Sequence, residues 1–288
     1  MIALLVVGAL AGLAWAAFGG SDDDPRPDHV ADDPGVSHVH GLGVNPADGS
    51  LIVATHYGTF RIPADSDEAI RIGDSFQDTM GFTVVGPDRF YGSGHPDLAG
   101  MQAGQPGSLG LIESTNAGET WANVSLSGRV DFHGLAFAHG HVYGWDSGTQ
   151  RFMVSADGKE WENRSTLPMY GFAVDPDDGE HVIAATPDGL ASSTDGGRTW
   201  TGGDGPPLRA LSWDAAAGLW GADGTGGVWH STQGGWVRAG TLPGPAQALL
   251  ATPDGLYAAA GDGSGATGIY RSTDDGETWQ LRYRDEHG

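Results

Sequence analysis

One short pattern returns six times along the chain and restricts the fold more than any other feature of the sequence. It joins a polar residue, a small residue and then apolar residues at strand spacing. Clear copies are His40-Gly41-Leu42, Met80-Gly81-Phe82, His133-Gly134-Leu135 and Tyr170-Gly171-Phe172. Weaker copies follow at Arg209-Ala210-Leu211 and Gln247-Ala248-Leu249. Successive copies lie 40, 53, 37, 39 and 38 residues apart. A period near 40 is that of a four-stranded propeller blade, a unit that buries its apolar faces only by stacking on its neighbours. Blade one reads as strands at His40 to Val44, Leu51 to His56, Thr59 to Ile62 and Ala69 to Ile72, with turns such as Asn45-Pro46-Ala47-Asp48-Gly49 between them. The expected fold is all-β, a six-bladed β-propeller of four-stranded antiparallel blades over residues 37–284, with blade six supplying its own strands. The one long step holds an insertion in blade two, Pro96 to Ser108, whose Gly, Pro and Ala content reads as a surface loop.

A second pattern runs in phase with the first. Its full copies are Ser114-Thr115-Asn116-Ala117-Gly118-Glu119-Thr120-Trp121, Ser193 to Trp200 and Ser272 to Trp279. Ser155 to Trp161 is one residue shorter, Ser231 to Trp236 is degenerate, and blade one has no copy. In such a turn the carboxylate accepts hydrogen bonds from backbone amides, glycine supplies positive φ, and tryptophan buries its ring between sheets. These segments resemble the Asp box, or BNR repeat, of sialidases, sortilin-type receptors and photosystem assembly factors, a group whose exported bacterial members are often labelled glycosyl hydrolases. The resemblance implies a propeller and gives the box residues a structural role, so none of them is assigned to catalysis.

Composition narrows the partners. The formal charge of −23, with Lys159 the sole lysine, excludes nucleic acid, because phosphate binding needs clustered basic residues. The absence of cysteine excludes disulfides, thiolate metal sites and cysteine nucleophiles. Residues 1–18 (MIALLVVGALAGLAWAAF) are almost wholly apolar and predict a secretory signal, with Ala14-Trp15-Ala16 as a small-x-small cleavage site, or an uncleaved membrane anchor. Membrane contact is expected only through that segment. Residues 19–36 read as an acidic disordered linker and 285–288 as a tail. The protein is therefore expected outside the cytoplasm, extracellular or bound to the cell envelope.

Phase also assigns a mouth to the channel. The first strand of each blade lines the channel and the second returns beside it, so the start of one and the end of the other meet at the same mouth. Those positions are His40 and His56, Met80 and His95, His133 and Asp146, Tyr170 and Thr186, Arg209 and Asp223, and Gln247 and Gly261. Eleven histidines scattered over 288 positions would put fewer than one in these twelve places; four fall there, all in blades one to three. His38, Asp78 and Asp131 lie two residues earlier, on the same strand faces. Imidazoles with a thioether suit a borderline or soft metal, so the expected ligands are His40, His56, His95 and His133 with Met80 optional. Copper or zinc is the expected cofactor, with no nucleotide or flavin; calcium and magnesium want mainly oxygen ligands. Asp131 and Asp146 are read as partners that fix the imidazole tautomers, and His38, Asp78, Tyr170 and Arg209 as further groups at the mouth.

Two other functions compete with a non-enzymatic site for a metal or small ligand. The resemblance implies a sialidase-like glycoside hydrolase, and Phe60-Arg61-Ile62-Pro63 matches the [FY]-R-I-P motif of that family. In sialidases that arginine comes from an innermost strand, whereas phase puts Arg61 on the third strand of blade one; only Arg209 stands where an arginine clamp needs it. Tyr170 is placed like a nucleophile but lacks an identifiable glutamate, and Asp146 with Asp223 is the carboxyl pair nominated by position. The third possibility is a scaffold that holds a protein partner on a rim carrying Arg209, Trp213, Trp220 and Trp229.

Overall fold

The computed structural model describes residues 33–284. The expected signal or anchor, the tail and most of the acidic linker lie outside the described residues. The remainder forms six sheets of four strands each, and in every sheet the strands pair in sequence order, each antiparallel to the next. The innermost strands are Val39–Val44, Asp78–Gly86, Phe132–Ala138, Gly171–Val174, Leu208–Asp214 and Ala246–Thr252. The lone helix among the described residues, Leu98–Gln102, lies in the blade-two insertion and is capped by Asp97, whose Oδ1 accepts from Gly100 N at 2.7 Å. No helix among the described residues is long and apolar enough to cross a membrane.

The repeated polar-small-apolar motif has two structural jobs. Its small residue lets neighbouring innermost strands approach: a Cβ on Gly81 would stand 2.5 Å from the Phe132 carbonyl oxygen of the next blade. Its polar residue is the extra residue of a β-bulge. In blade one the ladder steps from Val39 opposite Thr55 to Gly41 opposite Ala54, leaving His40 unpaired. The same skip passes over Met80, His133, Arg209 and Gln247. A bulge bends its strand and re-aims the extra side chain. The fold thus breaks its own ladder at the same place in five blades, and four of the freed residues, His40, His133, Arg209 and Gln247, line the channel cavity.

The serine-containing turns tie the outer strands together. Ser193 Oγ accepts from Gly197 N at 2.7 Å, while Asp195 Oδ1 accepts from Thr199 N at 2.9 Å and Oδ2 from Thr199 Oγ1 at 2.6 Å. Asp274 repeats this with Thr278 N at 3.0 Å and Ser272 Oγ at 2.8 Å. Those bonds, led by the one from the Thr278 hydroxyl, pull its carboxyl down to about 2. In blade two, Asn116 does the same work without a charge, accepting from Thr120 N at 3.0 Å. The tryptophan that ends each turn reaches the preceding blade: Trp200 Nε1 donates to Ser165 Oγ at 2.9 Å, and Trp161 Nε1 to Ser125 Oγ at 3.0 Å. Trp200 also packs edge-on against buried Phe152.

Side chains close the ring. Val36, Val39, Leu51 and Val53 of the first blade share an apolar cluster with Ala248, Ala259 and Ile269 of the last. Val39 N donates to Gln247 Oε1 at 2.8 Å, and Arg282 reaches Ser66 O at 2.6 Å and forms an ion pair with Asp67. Among the described residues no strand is shared between blades one and six.

Candidate metal centre

The four mouth histidines do not gather into one cluster. They form two triads, each built across a blade interface and each centred on an aspartate from the later blade. In the first, His40 Nε2 stands 3.3 Å from Asp78 Oδ1 and His56 Nδ1 stands 3.0 Å from Asp78 Oδ2. In the second, Asp131 Oδ2 is 2.9 Å from His133 Nε2 and 3.6 Å from His95 Nε2. Within each triad one donor atom from every residue lies within 4.8 Å of the other two. Asp78 and His95 are cross-strand partners in blade two, so a single ladder pair contributes to both triads.

The polar accounting at these triads is incomplete. His40 Nε2, Asp78 Oδ1 and Asp131 Oδ1 are buried and have no hydrogen-bond partner among the described residues. The His40 side chain is only 10% exposed, and its 3.3 Å approach to Asp78 lacks hydrogen-bond alignment. Burying such atoms unpaired costs free energy, so a native structure supplies a partner. A tetrahedral ion with bonds of about 2.0–2.2 Å would hold its donors about 3.3–3.6 Å apart, against histidine–aspartate approaches of 2.9–3.6 Å here.

Neighbouring groups prepare the donors. His95 Nδ1 lies 2.7 Å from the Gly107 carbonyl, which can only accept, so the ring is turned with Nε2 toward Asp131. The insertion read as a plain surface loop thus orients a candidate ligand. Burial alone would raise the Asp131 carboxyl, but the hydrogen bond from His133, the nearby imidazoles and Ser147 Oγ hold it below the usual range. His38 packs edge-on against His40 with ring centroids 4.8 Å apart. Burial, and then the like charges of His40 and His56, lower its pKa and favour the neutral imidazole.

Other expectations need correction. Asp146 does not reach an imidazole: its Oδ1 accepts from Asp131 N at 3.1 Å and Gly148 N at 3.3 Å, and its Oδ2 is bonded by Thr149. It holds the backbone of Asp131 rather than a histidine. Asp131, read as a partner of the imidazoles, does meet His133 Nε2 at 2.9 Å, and Asp78, read as a further group at the mouth, stands beside both His40 and His56. Met80, expected as an optional ligand, is the bulge residue of blade two, two residues after Asp78. Asp223, nominated with Asp146 as a glycosidase carboxyl, accepts from Thr225 N, Gly227 N and Trp229 Nε1 at 2.8–2.9 Å. Both nominated carboxylates are therefore committed to turns. Arg61 is exposed on the third strand of blade one, as phase requires.

The remaining mouth residues occupy the other half of the ring. Arg209 lays its guanidinium over the Tyr170 ring, 4.3 Å from the centroid, and Gln247 clamps the ring closure. His40, His133, Tyr170, Arg209 and Gln247 line one continuous channel cavity of about 790 Å³.

The fold and site together define a six-bladed β-propeller with two histidine–aspartate triads at one channel mouth. No family model matches the chain, and no curated protein sequence matches it. Similar solved structures include a GH74 xyloglucanase from Xanthomonas campestris, 18% identical with a TM-score of 0.57, covering 86% of this chain and 45% of that one. A GH74 enzyme from Niastella koreensis is 16% identical with a TM-score of 0.60, covering 85% of this chain and 45% of its own. A gluconolactonase from Xanthomonas campestris is 17% identical with a TM-score of 0.60, covering 79% of this chain and 84% of its own. The chain thus spans less than half the length of the GH74 chains. At these identities the likeness is one of fold.

Proposed function

We propose that this protein is an exported Asp-box propeller that binds divalent transition-metal ions, one at each histidine–aspartate triad. The observation that carries the reading is that two successive blade interfaces each bring two imidazoles to the aspartate that stands two residues before the bulge of the later blade. In each, two imidazoles meet a carboxylate that keeps a buried oxygen without a partner. Two nitrogens and one oxygen make a donor set suited to zinc or Cu(II), and the carboxylate makes it harder than the imidazole and thioether set expected from sequence. The exposed sides of His56 and His95 leave room for water or a ligand on the ion. Export follows from the apolar run at residues 1–18.

Metal content of the purified propeller, followed by calorimetric titration with zinc and copper, tests this reading. The expected result is two equivalents, falling to one in either His40→Ala or His133→Ala. Uptake that is absent at micromolar metal, or unchanged in both variants, would overturn it.

A further inference from the structure

We infer that the channel mouth takes a small anion, a carboxylate or oxyanion, held between the ion of the second triad and Arg209. This deepens the metal reading and rests on it. Around the mouth the innermost strands run in blade order, so His133 is followed by Tyr170 and then by Arg209. The Arg209 side chain does not stay over its own blade. Its guanidinium lies on the Tyr170 ring of blade four, one blade closer to the His95–Asp131–His133 triad. Its Nε passes over the Gly224 turn, where an added Cβ would come within 2.8 Å. A ring face and a glycine turn therefore hold the group in place.

That guanidinium carries no ion pair among the described residues. Asp223, on the adjacent strand of its own blade, spends its carboxylate on Thr225, Gly227 and Trp229. In a chain with a formal charge of −23, an arginine at a channel mouth without a carboxylate partner is a local positive charge that favours an anion. Guanidinium groups bind carboxylates and oxyanions through paired N–H donors, and stacking on Tyr170 leaves the donor edge free. His133, about one-third exposed, lines the same cavity as Arg209 and so joins the triad to it. The cavity volume of about 790 Å³ accommodates a ligand of several heavy atoms.

The test uses the propeller loaded with cobalt(II), whose visible absorption reports on the ion, titrated separately with succinate and with inorganic phosphate. Either anion should perturb the cobalt spectrum on binding, and the tighter of the two identifies the source. In Arg209→Gln, cobalt stoichiometry should be unchanged while anion affinity falls about ten- to a hundredfold, the loss of a charged hydrogen-bonded pair. Arg209→Lys should recover part of the affinity. Anion binding equal in Arg209→Gln and wild type, or no spectral response to either anion, would overturn the inference and leave the metal reading standing. Failure of the wild-type protein to take up cobalt or zinc would overturn both.

Discussion

Two sets of aspartates within the same repeating fold behave in opposite ways. Asp195 and Asp274 sit in outer turns and are surrounded by donors from their own segment. Asp78 and Asp131 sit at the channel mouth, meet histidines from neighbouring strands and blades, and each keep a buried oxygen without a partner. A carboxylate whose bonds are closed locally fixes a turn. One that is desolvated and left open keeps an acceptor for a partner from outside its own segment. Asn116 sharpens the contrast, since an amide fills the same turn position in blade two; the outer turns need acceptors, whereas a metal triad needs charge.

The largest expected effect separates the two regions by stability. Trp200→Ala removes the ring that bridges blades three and four and should cost about 3–5 kcal/mol, read from urea unfolding, with metal stoichiometry intact. If that variant lost metal instead, the outer turns and the mouth would not be independent. Next, Asp131→Asn preserves shape and one acceptor oxygen but removes the charge, and should weaken zinc at the second triad about a hundredfold, with little change in the melting temperature. Equal zinc affinity would place the ion elsewhere.

A smaller effect concerns pH. Because burial lowers the His38 pKa, the unfolded chain takes up a proton near its ordinary value of about 6.5 while the folded protein does not. Stability of the metal-free protein should therefore fall as pH drops below that value, with a shallower fall in His38→Gln. Equal slopes between about pH 7.5 and 5.5 would remove this role. The smallest effect is expected for Asp195→Asn, which should leave both metal binding and melting nearly unchanged at neutral pH, as Asn116 already shows is tolerated. At acid pH the sign is the usual carboxylate one: the Asp195 contribution, present above its ordinary value, is lost as the lowered pKa is passed.

Blade number and phase were legible in the sequence because each depends on spacing along one chain; of the twelve positions assigned to the mouth, His40, His133, Tyr170, Arg209 and Gln247 line the channel cavity. The bulge was not legible: it passes over the polar residue of the motif before alanine at Arg209 and Gln247 as well as before glycine, and is missing from the ladder at Tyr170-Gly171. The grouping of the histidines was not legible. Whether His95 meets Asp131 depends on how blade two stands against blade three, and no local pattern encodes that. For the same reason Asp78 read only as a further group at the mouth and Asp131 as a partner of the imidazoles, although inter-blade packing sets each beside two histidines. The Gly107 carbonyl that orients His95 lies in an insertion without periodicity, and Asp146 had the right position but a local turn claimed its oxygens. Ring closure needed the contacts of Gln247 and Arg282 with the first blade.

Anomalous diffraction at the zinc edge from a crystal of the zinc-loaded propeller would locate the ions without relying on any variant. Two peaks are expected, one among His40, His56 and Asp78 and one among His95, Asp131 and His133. Peaks confined to the outer-turn aspartates, or none at the mouth, would contradict a metal site built on the triads.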